Sequence, residues 1–463
     1  MTETCPIHYW AQQTPEHIAV EASAVRLSYR TLNRRVASLA QQLARQGLMP
    51  GMPLLVPTRG SLQGVLLAWA CLRAGVVFCP LNPAFPVAQQ QALARRMQVT
   101  RVCQPESDFA YSSELPTISL DYRAEADPGE PPVLYASQRS NTILTSGSSG
   151  PPKAVLHRVG NHLASARGSA SLIPVDPDSG WLLSLPLFHV GGYAIAFRVF
   201  LAGGRLVLDD TTRPLAERLM QQPITHLSLV PTQLWRLLRE GFDPRHTQLR
   251  ELLLGGAAIP APLVERLQRL GLTPKVSYGL SEMASQVCTG SPSAPGVVGQ
   301  PLPGRQVRVV DGEIQVKGDT LFCGYLADGA LDPAVNDEAG SPPVTGATST
   351  TSRRSSSKGG STTYSFPAVK TYSQRASSSG WSTTRAWPRR WWWPCRTRSG
   401  ASAGGLHRAA NRSALHKALA AWVREALPGF MVPDAWLPWP PQVALKPSRK
   451  QFAELARRQL ADV

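Results

Sequence analysis

The chain has no Cys-x-x-Cys pair, no apolar run long enough to span a bilayer, no internal repeat and few acids, and each shortage removes a class of protein. Its cysteines, Cys5, Cys71, Cys79, Cys103, Cys288, Cys323 and Cys395, number seven. An odd count at these spacings indicates neither a disulfide framework nor a zinc site. The most apolar stretch, around Leu66 to Leu81, contains Arg73 and Gly75 and is too short for a membrane span. Met1 to Glu21 lacks the apolar core of a signal peptide, so the sequence predicts a soluble, cytoplasmic protein. Acids number 31 against 48 Lys and Arg, a formal net charge of +17. At 463 residues the chain predicts two or three domains with ample core.

What is present begins with T-I-L-T-S-G-S-S-G-P-P-K, Thr142 to Lys153. Gly147 and Gly150 let the backbone approach an anion closely. Amides and the hydroxyls of Thr145, Ser146, Ser148 and Ser149 can donate to phosphate oxygens, and Lys153 adds a point charge. The spacing is not the G-x-x-x-x-G-K-[ST] of a P-loop NTPase. Taken alone, the stretch is equally well read as a flexible Ser/Gly turn.

Around it the pattern predicts a layered α/β body. Leu32, Val36, Leu39 and Leu43 recur at helical spacing behind Ser28, a candidate N-cap, and Gly47 closes the pattern. Short apolar strands at Thr142 to Leu144, Leu227 to Val230 and Leu252 to Leu254 alternate with helical segments at Thr232 to Arg239 and Ala261 to Leu270. His189 follows the apolar run Leu182 to Phe188 and precedes two glycines, which predicts a strand end opening into a cleft.

Further motifs follow in fixed order: S-L-P-L-F-H-V-G-G from Ser184, S-L-V-P-T-Q-L from Ser228, L-L-L-G-G-A-A-I-P from Leu252, V-S-Y-G-L-S-E from Val276, and G-E-I-Q-V-K-G from Gly312 with G-Y at Tyr325. This set resembles the adenylate-forming superfamily of acyl-CoA synthetases, luciferases and peptide-synthetase adenylation domains. The resemblance covers residues from about 10 to 340 and again from about 406 to 463. It implies an α/β fold, a large layered N-terminal AMP-binding domain over 1–335 and a small α+β C-terminal lid domain over 336–463. It also implies site roles. Glu282 holds Mg²⁺ through a hard carboxylate oxygen, Tyr278 stacks on adenine beside Gly279, and Ser281 reaches the phosphate. Gly255, Gly256 and Ala257 line the adenine and acyl pocket, and His189 gates the acyl carboxylate. Lys446, in A-L-K-P-S-R near the C-terminus, matches the lysine that grips the carboxylate and phosphate oxygens during adenylation.

The wording of several motifs is similar to the o-succinylbenzoate-CoA ligases of menaquinone biosynthesis. That likeness implies ATP-dependent ligation of o-succinylbenzoate to CoA through an acyl-adenylate, with ATP, Mg²⁺ and CoA bound. Another aryl or acyl-CoA ligase is the alternative. The implied partners are these small molecules, with no nucleic acid and no membrane span, and a homo-oligomer is left open. Once one carboxylate of the substrate is adenylated the other needs a cation, and Arg198, nine residues after His189, is the candidate.

Residues 341–404 break the pattern: 25 are Ser or Thr, ten are Lys or Arg, none is acidic, and tryptophans crowd at Trp381, Trp387 and Trp391 to Trp393. A basic, aromatic-interleaved stretch also describes a nucleic-acid-binding tail, and it carries ten of the chain's net positive charges. A displaced reading frame accounts for more. Shifted by one nucleotide from Gly340, the codons can read W-F-A-T-G-D-R-G-D-L-D-D, and those for Thr362 to Arg375 can read D-N-L-F-I-S-G-G-E-N-I-Q-P-E. The tryptophan-rich run can likewise yield V-D-H-P-G-V-A-E-A-V-V-V-A-V. Wobble positions alone do not produce three superfamily motifs in order, so a frameshift near Gly340, compensated near Gly404, is inferred. The sequence predicts disorder for 341–404 in this chain, because such a composition buries too little apolar surface.

Overall fold

The computed structural model describes residues 2–333, apart from 23–24, 106–114, 146–151, 209–212, 258, 295 and 311–312, together with the backbone of 390–397, 400–407 and 435–438. Calls on Ser146, Gly147, Ser148, Ser149, Gly150 and Lys446 therefore lie outside the described residues. The chain divides into two compact units, Met1–Pro367 and Ala368–Val463.

In the first unit local signals set the helices. The Tyr29–Arg45 helix buries Leu32, Val36, Leu39 and Leu43. The Ser28 hydroxyl caps it by accepting from the Thr31 N–H, and Gly47 follows at φ +76°. The apolar stretch near residue 70 is a helix, Leu62–Ala74, closed by Gly75 in the left-handed region and followed by the strand Val77–Leu81. Among the described residues no helix is long and apolar enough to cross a membrane.

Two large sheets organise this unit. The nine-stranded one has a parallel centre running from Lys275–Leu280 through Glu251–Leu254, His226–Leu229, Gly180–Leu182 and Arg205–Val207 to Ile18–Ala22, with antiparallel strands at both ends. The eight-stranded one is parallel from Thr117–Ile118 to Arg139–Thr145 and antiparallel through Lys153–Arg158, Gly324–Ala327 and Ala330–Asp332. Alternate residues of a strand face opposite sides. Leu54 and Val56 thus join the central core while Leu55 faces the outer one packed by Leu93 and Met97. In the other sheet Trp181 and Leu183 face the centre, and Leu182 joins the outer cluster with Leu234 and Leu267. The result is five layers: helices outside, helices between the sheets, and two sheets whose faces are both buried. Each fully buried Leu contributes about 2 kcal/mol of burial free energy, so the two-sided pattern sets the registers of both sheets.

Predicted strands and helices at 142–144, 227–230, 252–254, 232–239 and 261–270 all exist, as Arg139–Thr145, His226–Leu229, Glu251–Leu254, Pro231–Arg239 and Ala261–Arg269. One local expectation fails. His189 is not at a strand end, because the strand stops at Leu182 and His189 is the N-cap of the helix Val190–Ala202. Pro186 has no N–H to give a ladder, so the apolar run leaves the sheet and turns into a helix.

The described backbone of the second unit is a three-stranded sheet of Arg390–Thr397, Gly400–His407 and Ala435–Pro438. The first two strands fall largely inside the segment expected to be disordered.

Candidate active site

Three adjacent strands of the eight-stranded sheet bring the glycine-loop motif to the G-Y motif. Thr145 pairs with Lys153 across one ladder, and Val155 pairs with Tyr325 across the next. The Lys153 ammonium consequently lies over the Tyr325 ring, 4.5 Å from its centroid. The Tyr325 hydroxyl donates to Glu282 Oε1 at 2.9 Å. Lys153, Tyr325 and Glu282 are half-buried, and together they join the edge of one sheet to the turn that ends the other. Burial and the Glu282 carboxylate push the Tyr325 phenol well up, so it remains a donor.

The turn carrying Glu282 is held at four carbonyls by groups from elsewhere. His157 Nε2 donates to the Ser281 oxygen at 2.7 Å, and the Phe322 N–H to that of Glu282 at 2.8 Å. Ser165 Oγ donates to the Ala284 oxygen at 2.7 Å, and Arg305 Nε to that of Gln286 at 2.6 Å. Such tethering lets the chain keep Ala284 at φ +49° and Ser285 at φ +113°, which non-glycine residues adopt only at a cost of about 1–3 kcal/mol each. Gly279 is required at the base of the turn, since a Cβ there would strike the Ser285 carbonyl oxygen. Burial lowers His157 to about 4, which keeps its imidazole neutral and its Nε2–H available at neutral pH. His162, with its ring centroid 4.9 Å away, is pushed down further by burial and by His157.

Arg198 reaches the same turn from the Val190–Ala202 helix. Its guanidinium is 4% exposed, lies 5.4 Å from the Trp181 ring centroid and donates from Nη2 to Ser285 Oγ at 3.2 Å. Among the described residues Nε has no hydrogen-bond partner and no ion pair is formed. Burial, with the nearby Arg305, lowers it to about 9, so it stays charged at neutral pH. His189 stands at the N-terminus of the same helix with its ring 4.7 Å from that of Phe188.

Gly255, Gly256 and Ala257 follow the strand Glu251–Leu254 beside the strand bearing Tyr278. A Cβ at Gly255 would come 3.4 Å from the Ser277 oxygen, and Gly256 has φ +76°. Tyr278 is half-buried, and burial pushes its phenol up. The structure therefore gathers Thr145, Lys153, Tyr278, Gly279, Ser281, Glu282 and Arg198 around one seam.

Sequence reasoning missed Tyr325 as a site residue, along with Ser285, Arg305 and His157. The G-Y motif was visible, but only the strand register places its ring under Lys153. For divalent metal the donor set fits Mg²⁺: one hard carboxylate and a nearby hydroxyl, without a protein cage. Among the described residues no group of three or more His, Cys, Asp and Glu is placed to hold a metal alone.

A family model described as AMP-binding enzyme matches residues 7–326. The 2-succinylbenzoate–CoA ligase of Salmonella typhimurium is 38% identical over 335 residues, spanning 72% of this chain and 71% of that protein. The ligase of the same name from Escherichia coli is also 38% identical, over 72% of each chain. Among solved structures, a variant of E. coli MenE with bound OSB-AMS superimposes with a TM-score of 0.79 at 30% identity, covering 99% of both chains. Bacillus subtilis o-succinylbenzoate CoA synthetase in complex with the acyl-adenylate OSB-AMP gives a TM-score of 0.80 at 22% identity over 98% of both, a likeness of fold.

Proposed function

Because the chain belongs to the AMP-binding enzyme family, we propose that it is built to join o-succinylbenzoate to CoA with ATP, through an acyl-adenylate and with release of AMP and pyrophosphate, as a step of menaquinone biosynthesis. The observation that carries the choice of substrate is Arg198. A guanidinium buried without a carboxylate is costly unless a ligand supplies the anion. The distal carboxylate of o-succinylbenzoate meets that need, and Ser285 Oγ fixes the fork that receives it.

The chemistry is an attack of a carboxylate on the α-phosphate of ATP, in which positioning and charge neutralisation do most of the work. Thr145 and Lys153 take the phosphates, with Ser146 to Gly150 completing the cradle. Tyr278 covers adenine beside Gly279, and Gly255, Gly256 and Ala257 leave room for flat rings. Ser281 reaches the phosphate, His189 gates the reacting carboxylate, and Lys446 grips it. Glu282 holds Mg²⁺, which when bound spreads the charge of the phosphoryl oxygens and the departing pyrophosphate.

Relatives named as ligases do not favour a nucleic-acid-binding role for 341–404. The frame displacement gains support from where sequence similarity ends. The family model matches only as far as residue 326, short of the segment argued to be out of frame. The domain division at about 335, with the lid out of frame over 341–404, follows from the same argument. Full-length protein should bind o-succinylbenzoate in calorimetry while showing little thioester formation with CoA. Absence of o-succinylbenzoate binding would remove this reading, and resequencing codons 335 to 410 tests the displaced frame directly.

A further inference from the structure

Lys153 and Glu282 carry opposite charges within reach of one side chain, yet they do not pair: the ammonium rests on the Tyr325 ring face at 4.5 Å and the carboxylate takes the Tyr325 hydroxyl at 2.9 Å. A direct Lys–Glu bridge would satisfy both groups and would also spend both. The lysine could not face a phosphate, and the glutamate could not face a cation. A phenol solves this by geometry, since its ring face attracts an ammonium while its O–H, at the far edge of the same ring, satisfies one carboxylate oxygen without neutralising it. Glu282 Oε2 is left for another partner.

From this geometry we infer that Tyr325 is a positioning residue that holds Lys153 and Glu282 apart, so that each keeps its charge for the nucleotide. The inference rests on the proposed ATP site. Tyr325 is placed for the task by the ladder that pairs it with Val155, two residues beyond Lys153, and by Phe322, whose N–H holds the Glu282 carbonyl. Both charges are therefore referred to one short stretch of chain, Phe322 to Tyr325.

Two substitutions in the full-length chain separate the two ends of the ring, with ATP binding measured by calorimetry with and without Mg²⁺. Tyr325→Phe keeps the ring and deletes the hydroxyl. It should leave metal-free ATP affinity within about twofold and cut the Mg²⁺-dependent gain by about tenfold, the size of a lost hydrogen bond to a charged group. Tyr325→Leu removes both and should lower metal-free affinity as well, because Lys153 then pairs with Glu282. Thermal unfolding of each variant checks that the fold is kept. A general packing defect would instead weaken both affinities in parallel in Tyr325→Phe. Glu282→Gln serves as the reference. If it abolishes the Mg²⁺ effect while Tyr325→Phe behaves as the parent, the role given to Tyr325 is wrong. If the Mg²⁺ effect survives Glu282→Gln, the ATP-site reading beneath it is wrong.

Discussion

Arg305 and Arg198 both bury a guanidinium against the turn that carries Glu282, and they are satisfied very differently. Arg305 donates from Nε to the Gln286 oxygen at 2.6 Å, from Nη1 to that of Pro303 at 2.9 Å and from Nη2 to that of Ser165 at 3.3 Å. Among the described residues Arg198 has one hydroxyl partner and an Nε with none. Burial lowers both, to about 10 and about 9 respectively. A buried cation whose donors are spent on backbone carbonyls belongs to the scaffold. One with a donor in hand is free to meet a ligand. Exposure does not separate them, since they are 6% and 4% exposed. The inventory of acceptors does.

The sharpest way to break the comparison is to remove each guanidinium. Arg305→Ala leaves three carbonyls, two of them buried, without their donor and should cost about 3–5 kcal/mol of stability, read by denaturant unfolding. An unchanged midpoint would make Arg305 no more structural than Arg198. The turn's histidine tether gives the next largest effect. The folded-state value of His157 is about 4 against an ordinary 6.5, so on acidification the unfolded chain takes the proton first. Its contribution is fully present above pH 6.5 and is lost between pH 6.5 and 4, by about 3 kcal/mol. His157→Gln should flatten that limb in unfolding curves taken across the range.

Arg198→Ala should keep stability within about 1 kcal/mol, because it deletes an unpaired buried charge, while weakening o-succinylbenzoate binding about 30-fold, some 2 kcal/mol. Unchanged o-succinylbenzoate affinity in this variant would assign the carboxylate to another cation. Ser285→Ala, which removes the one hydrogen bond that Arg198 makes among the described residues, should cost about 1 kcal/mol in the same titration.

Much of the body was legible in the sequence because its signals are local. Ser28 caps a helix whose apolar spacing is 3.6, and Gly47 ends it. The strands around Leu227 and Leu252 are continuous apolar runs, as strands buried on both faces should be. Lys153 and Glu282 were visible as motif residues. Tyr325 was not, since its role depends on a ladder between strands more than 160 positions apart in the chain. Nor could sequence tell Arg198 from Arg305. Arg198 stands in an apolar run and Arg305 in P-G-R-Q-V-R, but neither context shows which donors are spent, and only the three-dimensional placement of carbonyls separates them. His189 was misplaced because an apolar run is ambiguous until Pro186 is weighed as a break in the ladder.

The turn at residues 281–286 also bears on how such a gene can age. The four carbonyl tethers on it come from His157, Ser165, Arg305 and Phe322, and the trio of Lys153, Glu282 and Tyr325 is likewise complete by Tyr325. A reading frame displaced near codon 340 leaves all of them encoded upstream. Selection acting on the last quarter of the chain could relax without eroding this seat.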